Sequence, residues 1–388
     1  MLRDIQKINK EETIQTKEKL NKQKNKKRKR LRIAQLAPLA KRVPPKLYGG
    51  IERCVYYLTE ELVRRGHSVT LFASNESLTS AKLVSNGPEL NKTGSPDSYS
   101  KSRYNWLLNQ VRQNASNFDI IHDHFDFHLS ELHQIFLENL NKSSLIITVH
   151  GLMSWAPSLS YEFNDFPLIS ISFDQRHHHG GHPNFIANIY HGIPSNLYKF
   201  VKNSKAGEDK YLAFLGRISP SKRPDMAIEI AVKANIRLKI AASTFVESSN
   251  EYQNKINKMV EQNKDKIEFV GEINDKQKNE FLGNALALIF PINWAEPFGM
   301  VIIESMACGT PVIARSIGSV PEVIDEGISG LLFKTIDQGV LAVNAANKLN
   351  RSLVRQTFEK RFTVEKMVDN YEDVYYKSLK KIKEKKIK

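Results

Sequence analysis

Two glutamates, Glu296 and Glu304, stand eight positions apart in PINWAEPFGMVIIESMACGTPVIARSIGSVPEV, residues 291–323. Glu296 precedes Pro297 and so belongs to a loop, whereas Glu304 lies inside the apolar run MVIIESMA and rides a helix. That spacing is about two helical turns, so both carboxylates can face one cleft from different depths. A carboxylate pair can act as acid and base in glycoside hydrolysis, while a helix-borne Glu can equally be a dipole partner or cap. A second group is cationic: Gly216-Arg217 and Lys222, in GRISPSKRPD, fall where a strand gives way to a helix. Helix dipole, free N–H groups and two charged donors at one place suit a phosphate; the alternative is a solvated helix start punctuated by Pro220 and Pro224. Gly49-Gly50 opens another helix, either for close approach of backbone to a phosphate or as a plain tight turn, and neither a Walker pattern nor G-x-G-x-x-G occurs. His150 ends an apolar run and should emerge at the functional edge of a sheet. His122, Asp123, His124, Asp126 and His128, and the run His177-His178-His179-Gly-Gly-His182, invite a metal hypothesis. Against it, neighbouring residues of a strand point to opposite faces.

The elements that must position these groups alternate between strand and helix. Apolar runs at 31–37, 68–73, 118–122, 144–150, 168–172 and 185–190 read as strands, and Ile51, Val55, Leu58, Leu62 and Val63 mark a helix closed by Arg64, Arg65 and Gly66. Residues 75–103 are polar and receive no assignment. After a polar junction around 198–210, a second set follows: strands at 211–217, 236–242, 267–271, 285–291 and 311–314, with helices over 221–234 and from 249 and 274. Further helices fill 336–349 and roughly 364–382. Strand–helix alternation means parallel, doubly wound sheets, whose ligands sit at the C-terminal ends of the strands. The divisions are a basic tail at 1–30, a first domain at 31–195, a second at 196–362, and a last helix with a basic tail at 363–388.

Charge narrows the partners. The net charge is +15, but residues 1–30 carry nine Lys, three Arg and four acids (+8) and residues 377–388 carry seven Lys and one Glu (+6), so the body is close to neutral. A basic stripe built into a fold is what nucleic acid requires; two basic ends point at most to a weak contact with an anionic membrane surface. No apolar run approaches a membrane span or forms the core of a signal peptide. The two cysteines, Cys54 and Cys308, have no metal-ligand spacing and read as reduced packing residues of a cytoplasmic protein.

Taken together, NWAEPFGMVIIESMACGTPVIA, GRISPSK upstream and GSVPEV downstream resemble the donor site of the family-4 (group 1) retaining glycosyltransferases. The likeness runs from RIAQLAP through PPKLYGGIER, IIHDHFD, TVHG and YHGIP to RFTVEKMVDNYEDVYY, leaving out 1–30 and 377–388. It implies an α/β GT-B fold: two Rossmann-like domains facing a cleft, an acceptor-side domain first and a nucleotide-sugar-binding domain second, with the last helix crossing back. It implies a nucleotide-sugar donor, a UDP-sugar before GDP-mannose, an unidentified saccharide, lipid-linked or small-molecule acceptor, and no cofactor or catalytic metal. By the same resemblance Glu304 would bind the ribose hydroxyls, and Glu296 the sugar hydroxyls with backbone N–H groups of Phe298, Gly299 and Met300. Arg217 and Lys222 would hold the diphosphate with Gly49 and Gly50 approaching from the first domain, and His150 would line the sugar pocket. Pro194 departs from the family, which commonly carries an acidic residue after HGI. A nucleotide-sugar epimerase of the same fold, lacking the pairing of GRISPSK with the two glutamates, and a non-catalytic membrane-surface or nucleotide-sugar-binding protein are the competing readings.

Overall fold

A computed structural model of the chain describes residues 29–90, 98–125, 145–152, 166–178, 184–203, 210–242 and 250–387. The basic stretch 1–28, Asp126, His128, His179, His182 and part of the polar junction, 204–209, lie outside the described residues. The first half holds β1 (Arg32–Leu36), α1 (Gly50–Arg64), β2 (Ser68–Phe72), β3 (Lys82–Val84), α2 (Ser98–Gln113), β4 (Ile120–Asp123), β5 (Leu145–Thr148), β6 (Leu168–Ser170), α3 (Phe173–His177) and β7 (Phe185–Asn188). The second holds β8 (Tyr211–Leu215), α4 (Pro224–Lys233), β9 (Arg237–Ala241), α5 (Asn250–Gln262), β10 (Ile267–Gly271), α6 (Asp275–Gly283) and β11 (Ala287–Phe290). It continues with α7 (Met300–Ala307), β12 (Val312–Arg315), α8 (Val320–Val323), β13 (Gly330–Phe333), α9 (Ile336–Ala346), α10 (Arg351–Arg361) and α11 (Val364–Ile387).

The strands make two parallel sheets, in the orders β3-β2-β1-β4-β5-β6-β7 and β10-β9-β8-β11-β12-β13. Their apolar runs are covered on both faces, and every residue of β4, β5 and β11 is buried. Each sheet reverses direction beside its first strand: β1 lies between β2 and β4, and β8 between β9 and β11. A crevice opens at the C-terminal ends of the strands at such a reversal, and the two crevices belong to one cleft.

Three features differ from the sequence reading. The unassigned stretch 75–103 contains β3, an edge strand of three residues paired with β2, and the start of α2. β13, α10 and the short helices α3 and α8 are additional; Gly330-Leu-Leu-Phe is too short for its period to declare a strand. Helix α11 runs to Ile387 rather than ending near 382, so the lysines after 377 continue a helix instead of forming a loose tail.

The crossing back to the first domain is made by backbone. Ile193 N–H donates to Phe362 O at 3.1 Å, Val364 N–H donates to Ile193 O at 2.9 Å, and Ile193 pairs with Thr363 as an isolated parallel bridge. Pro194, where the family commonly carries an acidic residue, directly follows this bridge. Helix α11 then packs on α1, where Arg65 donates to Asp369 Oδ1 at 2.8 Å and Glu372 Oε2 at 2.6 Å, and His67 Nε2 lies 2.8 Å from Glu372 Oε1. Arg65, expected to serve its own helix dipole, is an anchor for the crossing helix.

Candidate active site

A cavity of about 400 Å³ lies in the cleft, and the ten residues that the resemblance assigns to the donor site line it: Gly49, Gly50, His150, Arg217, Lys222, Glu296, Phe298, Gly299, Met300 and Glu304. They arrive from the ends of strands. His150 follows β5, Arg217 follows β8, and Glu296 follows β11. Lys222 reaches the same place because Asn293 N–H donates to Ser221 O at 2.8 Å, tying the loop after β8 to the loop after β11. The N-termini of α1 and α7 also open on the cavity, bringing free N–H groups and the positive ends of two helix dipoles. The N-cap of α7, Gly299, has φ +83°, a conformation that favours glycine.

Each glutamate is held by a lysine. Lys222 Nζ lies 2.5 Å from Glu296 Oε2, and the same ammonium sits 5.4 Å from the centre of the Trp294 ring. Glu304, 3% exposed, accepts from Lys278 Nζ at 2.9 and 3.0 Å on its two oxygens. Lys278 is also 3.5 Å from Asp275, which pairs across the cleft with Arg53 of α1. Alternating charges therefore run from the first domain through Arg53, Asp275 and Lys278 to Glu304. Glu296 is fixed from its other side by the loop before α8. Ser319 N–H donates to Glu296 O at 3.1 Å, and a Cβ on Gly318 would stand 2.6 Å from the Glu296 nitrogen.

The sequence reading missed Lys278, Arg53 and Trp294 as partners within the site. Trp294 had a signal, being an aromatic beside Glu296 in the motif; Lys278 sits in DKQKNEFLG, which reads as any solvated helix.

On the first-domain side the site is lined with histidine. His122 in β4 and His124 just after it have ring centres 3.9 Å apart, and His150 stacks on His191 at 5.2 Å. Burial pushes His191 down to about 3 and holds His122, His124 and His150 well below the usual histidine value, so all four rings are neutral at pH 7. Neither His150 Nδ1 nor His191 Nδ1 has a hydrogen-bond partner among the described residues, nor does Trp294 Nε1. A buried polar atom left so costs about 1–3 kcal/mol, which a polyhydroxylated ligand can recover. Among the described residues no group of three or more His, Cys, Asp or Glu side chains is arranged to hold a metal ion, and His122 and His124 spend their nitrogens on other side chains.

Residues 198–361 match a family model described as glycosyl transferases group 1, and residues 48–198 one described as glycosyltransferase family 4. The chain is 25% identical to an uncharacterized glycosyltransferase of Methanocaldococcus jannaschii over 81% of its own length and 92% of the relative's. It is 23% identical to a phosphatidyl-myo-inositol mannosyltransferase of Propionibacterium freudenreichii, over 81% of this chain and 84% of the other. Among solved structures, Anabaena HepE in complex with UDP and glucose superposes with a TM-score of 0.67 at 17% identity, covering 89% of this chain and 99% of that one.

Proposed function

The chain belongs to the group 1 glycosyltransferases of the GT-B fold, and from that premise we propose that it moves a hexose from a UDP-sugar to a hydroxyl acceptor with retention of configuration and without a metal ion. The observation that carries this reading is the convergence of Arg217, Lys222, two helix N-termini and two paired glutamates on one cavity. The diphosphate lies against Arg217, Lys222 and the N-terminus of α1 at Gly49-Gly50, where fixed positive charge meets the charge that develops as the sugar–phosphate bond breaks. That charge supply takes the place a metal ion would otherwise have. Glu296 accepts from hydroxyls of the sugar, whose other oxygens face the N–H groups of Phe298, Gly299 and Met300. Glu304 accepts from the ribose hydroxyls, and His150 lines the sugar pocket. The acceptor attacks from the leaving group's side, and the departing phosphate takes its proton. HepE, which binds UDP and glucose, is the support for a UDP-sugar over GDP-mannose.

The acceptor is a saccharide, a lipid-linked sugar or a small molecule. No helix among the described residues is long and apolar enough to cross a membrane. The basic ends supply a peripheral contact with an anionic surface, each charge near it contributing about 1 kcal/mol; liposome co-sedimentation unchanged by deleting 1–30 and 377–388 would refute that contact. The transferase reading is tested with UDP-glucose, UDP-GlcNAc, UDP-galactose and GDP-mannose, scoring slow release of free nucleotide against Glu296→Ala. One UDP-sugar turned over by the natural chain and not by the variant is expected; release from none of the four would overturn the reading.

A further inference from the structure

Behind His150 runs a buried chain of hydrogen bonds that the proposed chemistry does not use. His150 Nε2 lies 3.0 Å from His124 Nδ1, and His124 Nε2 lies 2.7 Å from the side-chain oxygen of Gln35. The Gln35 amide nitrogen donates to the Tyr375 hydroxyl at 3.4 Å. That hydroxyl is 2.7 Å from His122 Nδ1, His122 Nε2 is 2.7 Å from Thr148 Oγ1, and Thr148 Oγ1 is 3.0 Å from the Tyr371 hydroxyl. Gln35, His122, His124 and Thr148 are all 0–1% exposed, and the two tyrosines belong to α11, so the chain links the crossing helix to the cavity.

With the Gln35 side-chain oxygen toward His124 and its amide nitrogen toward Tyr375, the direction of the bonds on the His150 side follows. A carbonyl oxygen only accepts, so His124 must carry its proton on Nε2 to reach Gln35. A neutral imidazole has one proton, which leaves His124 Nδ1 as a bare acceptor. Among the described residues its partner on the cavity side is His150 Nε2, which must therefore donate. His150 then has no proton left for Nδ1, the atom without a partner among the described residues.

We infer that Gln35 and His124 are positioning residues that hold the proton of His150 on Nε2, so that its Nδ1 lone pair accepts a hydroxyl proton of the transferring sugar. This deepens the transferase reading and rests on it for the identity of the ligand. The opposite order, with the Gln35 amide turned over and its nitrogen donating to His124, would place a proton on His150 Nδ1 and make that atom a donor. The two orders present opposite hydrogen-bonding characters to the same sugar.

The test reads the tautomer directly. The ligand-free full chain is labelled with 15N-histidine, and the His150 imidazole signals are assigned by their loss in His150→Gln. The expected spectrum shows His150 protonated on Nε2 and bare on Nδ1. Gln35→Met, which removes the acceptor, is expected to leave His150 divided between tautomers and to lower donor turnover about tenfold, with donor KM changed less than about twofold. A proton on His150 Nδ1 in the natural chain overturns the inference, as does a His150 spectrum unmoved by Gln35→Met. Once assigned, the wild-type spectrum decides the first point independently of Gln35→Met. Because the spectra need no substrate, failure to turn over any nucleotide sugar strikes the transferase reading and leaves the tautomer result legible.

Discussion

Lys222 meets Glu296 before any donor arrives, and that pairing decides how its loss should be read. A buried ion pair contributes little net stability, because desolvation offsets the attraction, but removing one partner strands the other charge. At Lys222 a diphosphate would bring further negative charge to the same ammonium, so Lys222→Ala should act chiefly on the step in which that charge grows. We predict that Lys222→Ala and Arg217→Ala each lower kcat for donor turnover tenfold or more, about 1.4 kcal/mol at the transition state. Unchanged turnover in both would refute the diphosphate assignment. Lys278 differs, since its partner Glu304 is buried and held on both oxygens. Lys278→Met should cost about 3 kcal/mol of stability, read as a lowered urea midpoint, and an unmoved midpoint would show that Glu304 is solvated. The four charged or cationic groups Glu296, Glu304, Arg217 and Lys222 were legible in the sequence because each stands beside a strand end or inside an apolar helix. Lys278 was not, because an ion pair between α6 and α7 is a tertiary fact that leaves no period or motif behind it.

At the scale of elements, the site depends on loops pressed together more closely than side chains would allow. Gly318 has φ +62° and backs onto the peptide of Glu296, so a methyl group there is doubly opposed. The backbone penalty alone is about 1–2 kcal/mol, and relief requires Glu296 to move. Gly318→Ala is predicted to lower donor turnover by on the order of tenfold or more while circular dichroism keeps the native helix content. Full activity with native structure would mean that the Glu296 loop has slack. Most of the elements around this contact were readable because parallel strands buried on both faces are near-continuous apolar runs. β3 and β13 escaped, being three and four residues long, and α10 escaped because RSLVRQTFEKR buries only Val354, Thr357 and Phe358 and so shows little apolar stripe.

For the whole molecule, four neutral histidines at the domain interface set a dependence on pH. His191 is depressed from 6.5 to about 3 by burial, and His122, His124 and His150 are depressed by burial first and neighbouring rings second. A depressed histidine contributes stability that is complete above the unfolded value and is lost as pH falls from there toward the folded one. His191 alone should therefore remove about 2 kcal/mol between pH 7 and pH 5, with the other three adding to it. Urea titrations at the two pH values test this, and His191→Asn should flatten the slope. Equal stability at pH 7 and pH 5 would contradict neutral burial.

The two places where the chain passes between domains, at Ile193 and at Phe362–Val364, are hydrogen-bonded to each other. Gly192 lies so close that a Cβ would stand 2.3 Å from Thr363 O, a backbone atom that cannot swing aside. Gly192→Ala should pry the two passages apart, raising donor KM and the radius of gyration in solution scattering while hydrogen exchange within each sheet stays protected. Unaltered scattering and KM would show that the passages are not coupled. Two passages bound side by side form a spine, as in a book. The opening of the cleft is then one angle instead of many independent gaps, and groups on the two domains at equal distance from that spine must reach a donor together.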